Sequence, residues 1–132
     1  MDPTAEDIDK LFGMDFDWFA QDITGAIGLF STSGYGEIPV EVLRHVAAHY
    51  KIADYVPLPH LGTLAVWQDF ARVGLYVFDW QHWDGPYKQV AAPLAAMPAS
   101  LLEAILQLPE LPQLPLWFSE ASAVKIERYN PR

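Results

Sequence analysis

The sequence predicts an α+β fold: a largely antiparallel sheet built from β-hairpins, with about three helices packed on one side. Three observations lead there. Short aromatic and branched runs are separated by turn signals, the pattern of hairpin strands. In other stretches apolar residues recur every three to four positions, the helical period. The chain has 132 residues, 52% of them hydrophobic, enough for one globular domain over 1–132 with a real core.

Taken in order, residues 1–14 read as a flexible or helical arm. Asp2 and Pro3 are suited to begin a helix, and Ile8, Leu11 and Phe12 share a face. Trp18-Phe19-Ala20 and Ile27-Gly28-Leu29-Phe30 form a hairpin, with Gly25 supplying the positive φ of its turn. The Gly34-Tyr35-Gly36 loop ends that sheet segment. Pro39 then opens a helix, where its missing N–H costs nothing. This helix runs from Val40 to about Ile52, with Leu43, Ala47 and Tyr50 on its face. A second covers residues 64–72, with Leu64, Trp67 and Ala71 aligned and Gly74 past its end. The prolines of Tyr55-Val-Pro-Leu-Pro-His60 keep the connection extended.

Leu75-Tyr-Val-Phe-Asp-Trp-Gln81 is the strongest strand pattern. Asp84-Gly85 turns it, and residues 87–91 return as its partner. A third helix follows Pro98 and carries Leu101, Leu102, Ile105 and Leu106. Pro109, Pro112 and Pro115, three apart, match the period of an extended polyproline connector, a form that proline-reading domains also bind. Leu116-Trp-Phe-Ser119 and residues 123–129 close the chain as two short strands.

The formal charge is −9, from 17 acids against 8 bases. Such a surface repels phosphate backbones and argues against nucleic acid as a partner. Asp2, Glu6, Asp7, Asp9, Asp15, Asp17 and Asp22 crowd the N-terminal end beside Lys10, while Lys125, Arg128 and Arg132 lie near the other. This asymmetry suits either solubility or steering toward a basic partner. With no cysteine, disulfides and thiolate nucleophiles are excluded. The acidic N-terminus lacks a signal peptide's basic start, and no stretch approaches the roughly 18 apolar residues of a membrane span. The expectation is a cytoplasmic protein with no membrane partner, monomeric or weakly dimeric when free.

Few residues suggest chemistry. His45 and His49 are spaced to share a helical face, but no Glu follows the first as in a zinc protease, and a third ligand must come from His60 or His82. They are expected to be partly exposed polar residues. Asp79, His82 and Asp84 could form an acid–base pair near a turn. Turns attract Asp without any chemistry, and Trp80 is expected in the core. Ser31, Thr32 and Ser33 lie in no nucleophile elbow, and the glycines form neither a dinucleotide fingerprint nor a P-loop. The expectation is no catalytic residue, cofactor or metal. The alternatives are an enzyme at Asp79/His82/Asp84 or His45/His49, and a module binding a peptide or small ligand.

Asp17-Trp18-Phe19-Ala20, Asp22, Gly25, Ile27-Gly28, Phe30, Ser33-Gly34, Gly36 and Ile38-Pro39 together resemble the N-terminal hairpin of small acidic bacterial immunity proteins. These belong to toxin–immunity pairs, including those of type VI secretion and other polymorphic-toxin systems. The turn departs from the pattern, with Ile23-Thr24 where more polar residues are usual. The resemblance implies a non-catalytic protein that binds and neutralises a cognate toxin, a basic protein, by occluding its active site. The residues expected to meet that partner are Asp15, Asp17, Asp22, Tyr35, Glu37, Trp83, Asp84 and Tyr87.

Overall fold

A computed structural model describes residues 2–131; Met1 of the expected arm and Arg132 of the basic end lie outside them. Among the described residues five strands form one sheet in sequence order: β1 (Asp17–Gln21), β2 (Ile27–Ser31), β3 (Tyr76–Trp80), β4 (Tyr87–Ala91) and β5 (Ala123–Val124). Five α-helical segments accompany them: α1 (Ala5–Leu11), α2 (Val40–Leu43), α3 (Val46–Tyr50), α4 (Val66–Arg72) and α5 (Ala99–Leu106). The α+β class is therefore as expected, with more helical segments. Three of the four strand pairings are antiparallel. The fourth, β2 with β3, is parallel. A parallel pair needs a long crossover, and residues 32–75, which hold α2, α3 and α4, provide it.

Alternation along the strands sends two apolar sets to opposite faces. On one face Phe19, Leu29 and Val77 pack against Ile52, Val66, Phe70, Leu101 and Ile105, so α3, α4 and α5 lie on that side. On the other, Trp18, Phe30 and Phe78 are in register across β1, β2 and β3. Their rings stack, with centroids 4.3 Å apart for Trp18–Phe30 and 4.7 Å for Phe30–Phe78. Contacts of this kind add about 1 kcal/mol each beyond area burial. Val42 of α2 and Phe118 and Val124 of the C-terminal segment cover this second face.

Several expected boundaries move. The helix expected from Val40 to Ile52 breaks at His45 (φ −137°, ψ 39°) into α2 and α3, and a 3-10 turn follows over Lys51–Tyr55. The second helix starts at Val66, which leaves Leu64 in the preceding loop, 84% exposed. In the arm, Thr4 caps α1 with a reciprocal box to Asp7, two residues beyond the expected start. Residues 116–119 do not form a strand. Phe118 begins a 3-10 turn, its ring is fully buried, and its N–H donates to Asp22 rather than to a ladder. The last strand shrinks to Ala123–Val124 and pairs with β4.

The proline-spaced segment is extended and lies along the outer edge of β1. Gln21 N–H donates to the Pro112 carbonyl and Leu114 N–H to the Gln21 carbonyl. Covering an edge in this way prevents pairing with another chain. Gly74, at φ +92°, ends α4 so tightly that an added Cβ would stand 2.6 Å from the Met97 backbone nitrogen. Gly74→Ala combines a left-handed φ with a backbone clash. It is expected to cost about 2 kcal/mol or more in urea unfolding; a cost below the roughly 1 kcal/mol of a simple φ penalty would contradict the close approach.

Candidate functional site

The strand directions bring the expected partner-facing residues mostly to one end of the sheet. There β1 and β4 begin and β2 and β3 end. Asp15 and Asp17 precede or open β1, Tyr35 and Glu37 lie in the loop after β2, and Trp83 and Asp84 occupy the β3–β4 turn. Trp83 is 89% exposed, and Tyr35 is exposed with its ring edge-on to Phe12 at 5.0 Å.

Two of the expected residues do not reach the surface. Tyr87 is fully buried: its hydroxyl accepts from Trp18 Nε1–H and donates to the Glu37 carbonyl. Burial drives its pKa up. Asp22 is at the opposite end, in the β1–β2 turn, and is also buried. It accepts from Thr24 N–H and hydroxyl, Ala26 N–H and Phe118 N–H. Burial opposes its charge, yet these bonds together hold its pKa below the usual carboxylate value. Both side chains hold the fold together.

On the helical face, one step beyond Phe19, Leu29 and Val77, stands a polar row in register: Asp17, Ser31 and Asp79. Asp15 joins it, accepting from Ser31 Oγ at 3.2 Å. Burial raises the Asp17 pKa to about 7; Asp15 and Asp79 add to the rise, and a bond from Ser31 opposes it. Ser31 has only one proton to offer two carboxylates. Asp79 is also raised, chiefly by burial, although Ser33 Oγ donates to it at 3.0 Å. None of the ion pairs among the described residues includes Asp15, Asp17 or Asp79. Lys88 faces Asp79 across the β3–β4 ladder without forming one.

Beside this row a cavity of about 760 Å³ opens between the sheet face and the crossover. Asp15, Asp17 and Ser31 form one side, and Phe19, Leu29 and Phe70 are among its apolar walls. Its rim includes Tyr50, Leu61 and Leu64, exposed by 68%, 72% and 84%. Asp69 steadies the rim loop by accepting from His60 N–H and Arg72 Nη1 and pairing with His60 Nδ1. A smaller cavity of about 130 Å³ lies between α1 and the Gly34–Tyr35–Gly36 loop.

The histidines separate. His45 pairs with Glu110 at 3.0 Å, whereas His49, expected to be partly exposed, is 1% exposed and lines the large cavity. Its Nδ1 accepts from Phe19 N–H on the outer edge of β1. Burial lowers its pKa to about 4, helped by His45, so the ring is neutral with its proton on Nε2. That Nε2 is buried and has no hydrogen-bond partner among the described residues. Asp79 is tied to Ser33, while His82 and Asp84 are exposed in the turn. Among the described residues, no group of three His, Cys, Asp or Glu side chains could hold a metal ion, and no helix is long and apolar enough to cross a membrane.

Asp15 and Asp17 were legible from the sequence. The cavity, the place of Ser31 and Asp79 beside them, and the role of His49 were not. One signal pointed to the row: a polar residue two positions along from an apolar one on the same face, repeated in three strands. Comparison with family models, curated proteins and solved structures finds no match for this chain.

Proposed function

We propose that the protein is a cytoplasmic, non-catalytic immunity protein that binds a basic toxin and blocks its active site. The observation that carries this reading is the gathering of Asp15, Asp17 and Asp79 at one end of the sheet with no ion pair among the described residues, beside exposed apolar side chains. Neighbouring acids without a counter-charge cost stability, and a basic partner offsets that cost on binding. Exposed aromatics such as Tyr35 and Trp83 suit the anchor role that large rigid side chains play in tight interfaces. The hairpin resemblance over residues 17–39 supports the same reading.

The test is neutralisation. A protein that co-purifies with the tagged chain from its native bacterium is expressed alone and together with it. It is expected to be basic, to arrest growth alone, and to be silenced by the wild-type chain but not by Asp15→Asn/Asp17→Asn. Equal protection by the double variant would place the interface elsewhere, and a harmless partner would overturn the immunity reading.

A further inference from the structure

We propose that the cavity beside Asp17 receives a lysine side chain of the protein that this chain binds, with the ammonium held by Asp15, Asp17 and Ser31. The proposal rests on the binding role proposed above and specifies how the acidic surface is used. Three independent features of the cavity converge on this occupant.

The first is charge. Asp15 and Asp17 lie on one side of the cavity with no ion pair among the described residues, and Asp79 stands one strand beyond Ser31. The acceptors come from different residues around a small space, which suits a compact ammonium with three diverging protons. A planar guanidinium instead matches one carboxylate side-on. On capture, Ser31 Oγ and the two carboxylates all act as acceptors, and one serine proton no longer has to serve both acids.

The second is shape. Phe19 is two positions from Asp17 on the same face, and Leu29 two from Ser31. Two strand residues span about 6.6 Å, a distance a four-methylene stem can cover while its head stays polar. Phe19, Leu29 and Phe70 wall that path. The exposed rim of Tyr50, Leu61 and Leu64 gives the backbone that carries the lysine an apolar seat, which a free amine would leave in water. This favours a protein-borne lysine over a small diffusible amine.

The third is His49. It lines the same cavity and is 1% exposed, and its Nε2–H has no acceptor while Nδ1 serves the Phe19 N–H. A buried donor left without an acceptor is destabilising. An inserted lysine brings a main-chain carbonyl to this cavity, the kind of acceptor that the His49 Nε2–H lacks.

The probe is a capped tripeptide with lysine between two leucines, compared with its norleucine analogue, which keeps the stem and carbonyls but loses the charge. Backbone and indole NMR shifts of the full-length protein follow each titration. The lysine peptide is expected to saturate with shifts at Asp17, Ser31, Tyr50 and Trp67. Norleucine is expected to bind at least tenfold more weakly, and Asp17→Asn to weaken the lysine peptide by a similar factor. Asp17→Asn removes a repelled carboxylate, so the variant is expected to fold. Equal binding of the two peptides, unchanged binding to Asp17→Asn, or shifts confined to another surface would overturn the proposal. Titration with the purified partner separates the two ideas. If the partner binds and leaves the cavity signals unmoved, the cavity proposal falls and the binding role stands. If the lysine peptide binds selectively and no toxin is neutralised, the cavity chemistry stands and the immunity reading falls.

Discussion

Asp22→Ala is expected to destabilise the protein by about 3 kcal/mol, with a fall in Tm of roughly 10 °C. Asp22 is 4% exposed and gathers four donors on its two oxygens. Three belong to the β1–β2 turn, where Thr24 is exposed and can turn to water. The fourth, Phe118 N–H, is buried at 2.8 Å from Oδ2 and would be left with no acceptor. The bond also joins the hairpin to the C-terminal segment, whose Phe118 ring fills the space that Gly28 leaves open on β2. Asp22→Asn keeps one carbonyl acceptor and is expected to lose about half as much. Urea unfolding of both variants checks this; a loss below about 1 kcal/mol for the alanine variant would mean that Phe118 N–H finds another acceptor. Asp22 is thus removed from the binding surface and becomes a control: Asp22→Asn is expected to leave partner affinity unchanged once folded.

The opposite sign is expected at Asp17. Its pKa rises from 3.8 to about 7 in the folded state, so the native protein holds a proton that the unfolded chain has lost between those values. Stability therefore falls as pH rises from about 4 to about 7 and levels off above. A rise of that size corresponds to at most about 4 kcal/mol, and solvent around a half-buried carboxylate reduces it to roughly 2. Asp17→Asn is expected to be more stable than wild type by that amount at pH 8 and equal to it near pH 4. Parallel urea titrations across this range measure the difference directly, cancelling groups with opposite shifts such as Asp22 and Asp69. A pH-independent difference would show that the carboxylate titrates in the folded chain as it does in the unfolded one.

Local signals made the two hairpins legible. Aromatic and branched runs at residues 18–20, 27–30 and 75–81, with Gly25 and Gly85 at the turns, are enough to place β1 with β2 and β3 with β4. How the hairpins join was not legible, because the parallel β2–β3 pairing depends on packing across a long crossover. The same tertiary control breaks the expected helix at His45, where His49 turns inward to cap the Phe19 N–H. Tyr87 misled for a related reason: an aromatic beside a turn looks exposed, yet its hydroxyl is occupied by Trp18 and Glu37. Asp15 and Asp17 stood out through charge alone. Their assembly with Ser31 and Asp79 follows from strand register, which is settled only when the sheet forms.

The most direct measurement is the affinity of the purified basic partner for the wild-type chain and for Asp15→Asn/Asp17→Asn/Asp79→Asn, at low and high salt. The acidic row as the binding surface predicts that the triple variant loses at least 100-fold in affinity and most of its salt dependence, with the loss in the association rate growing as ionic strength falls. Equal affinity and equal salt dependence for the two proteins would contradict it.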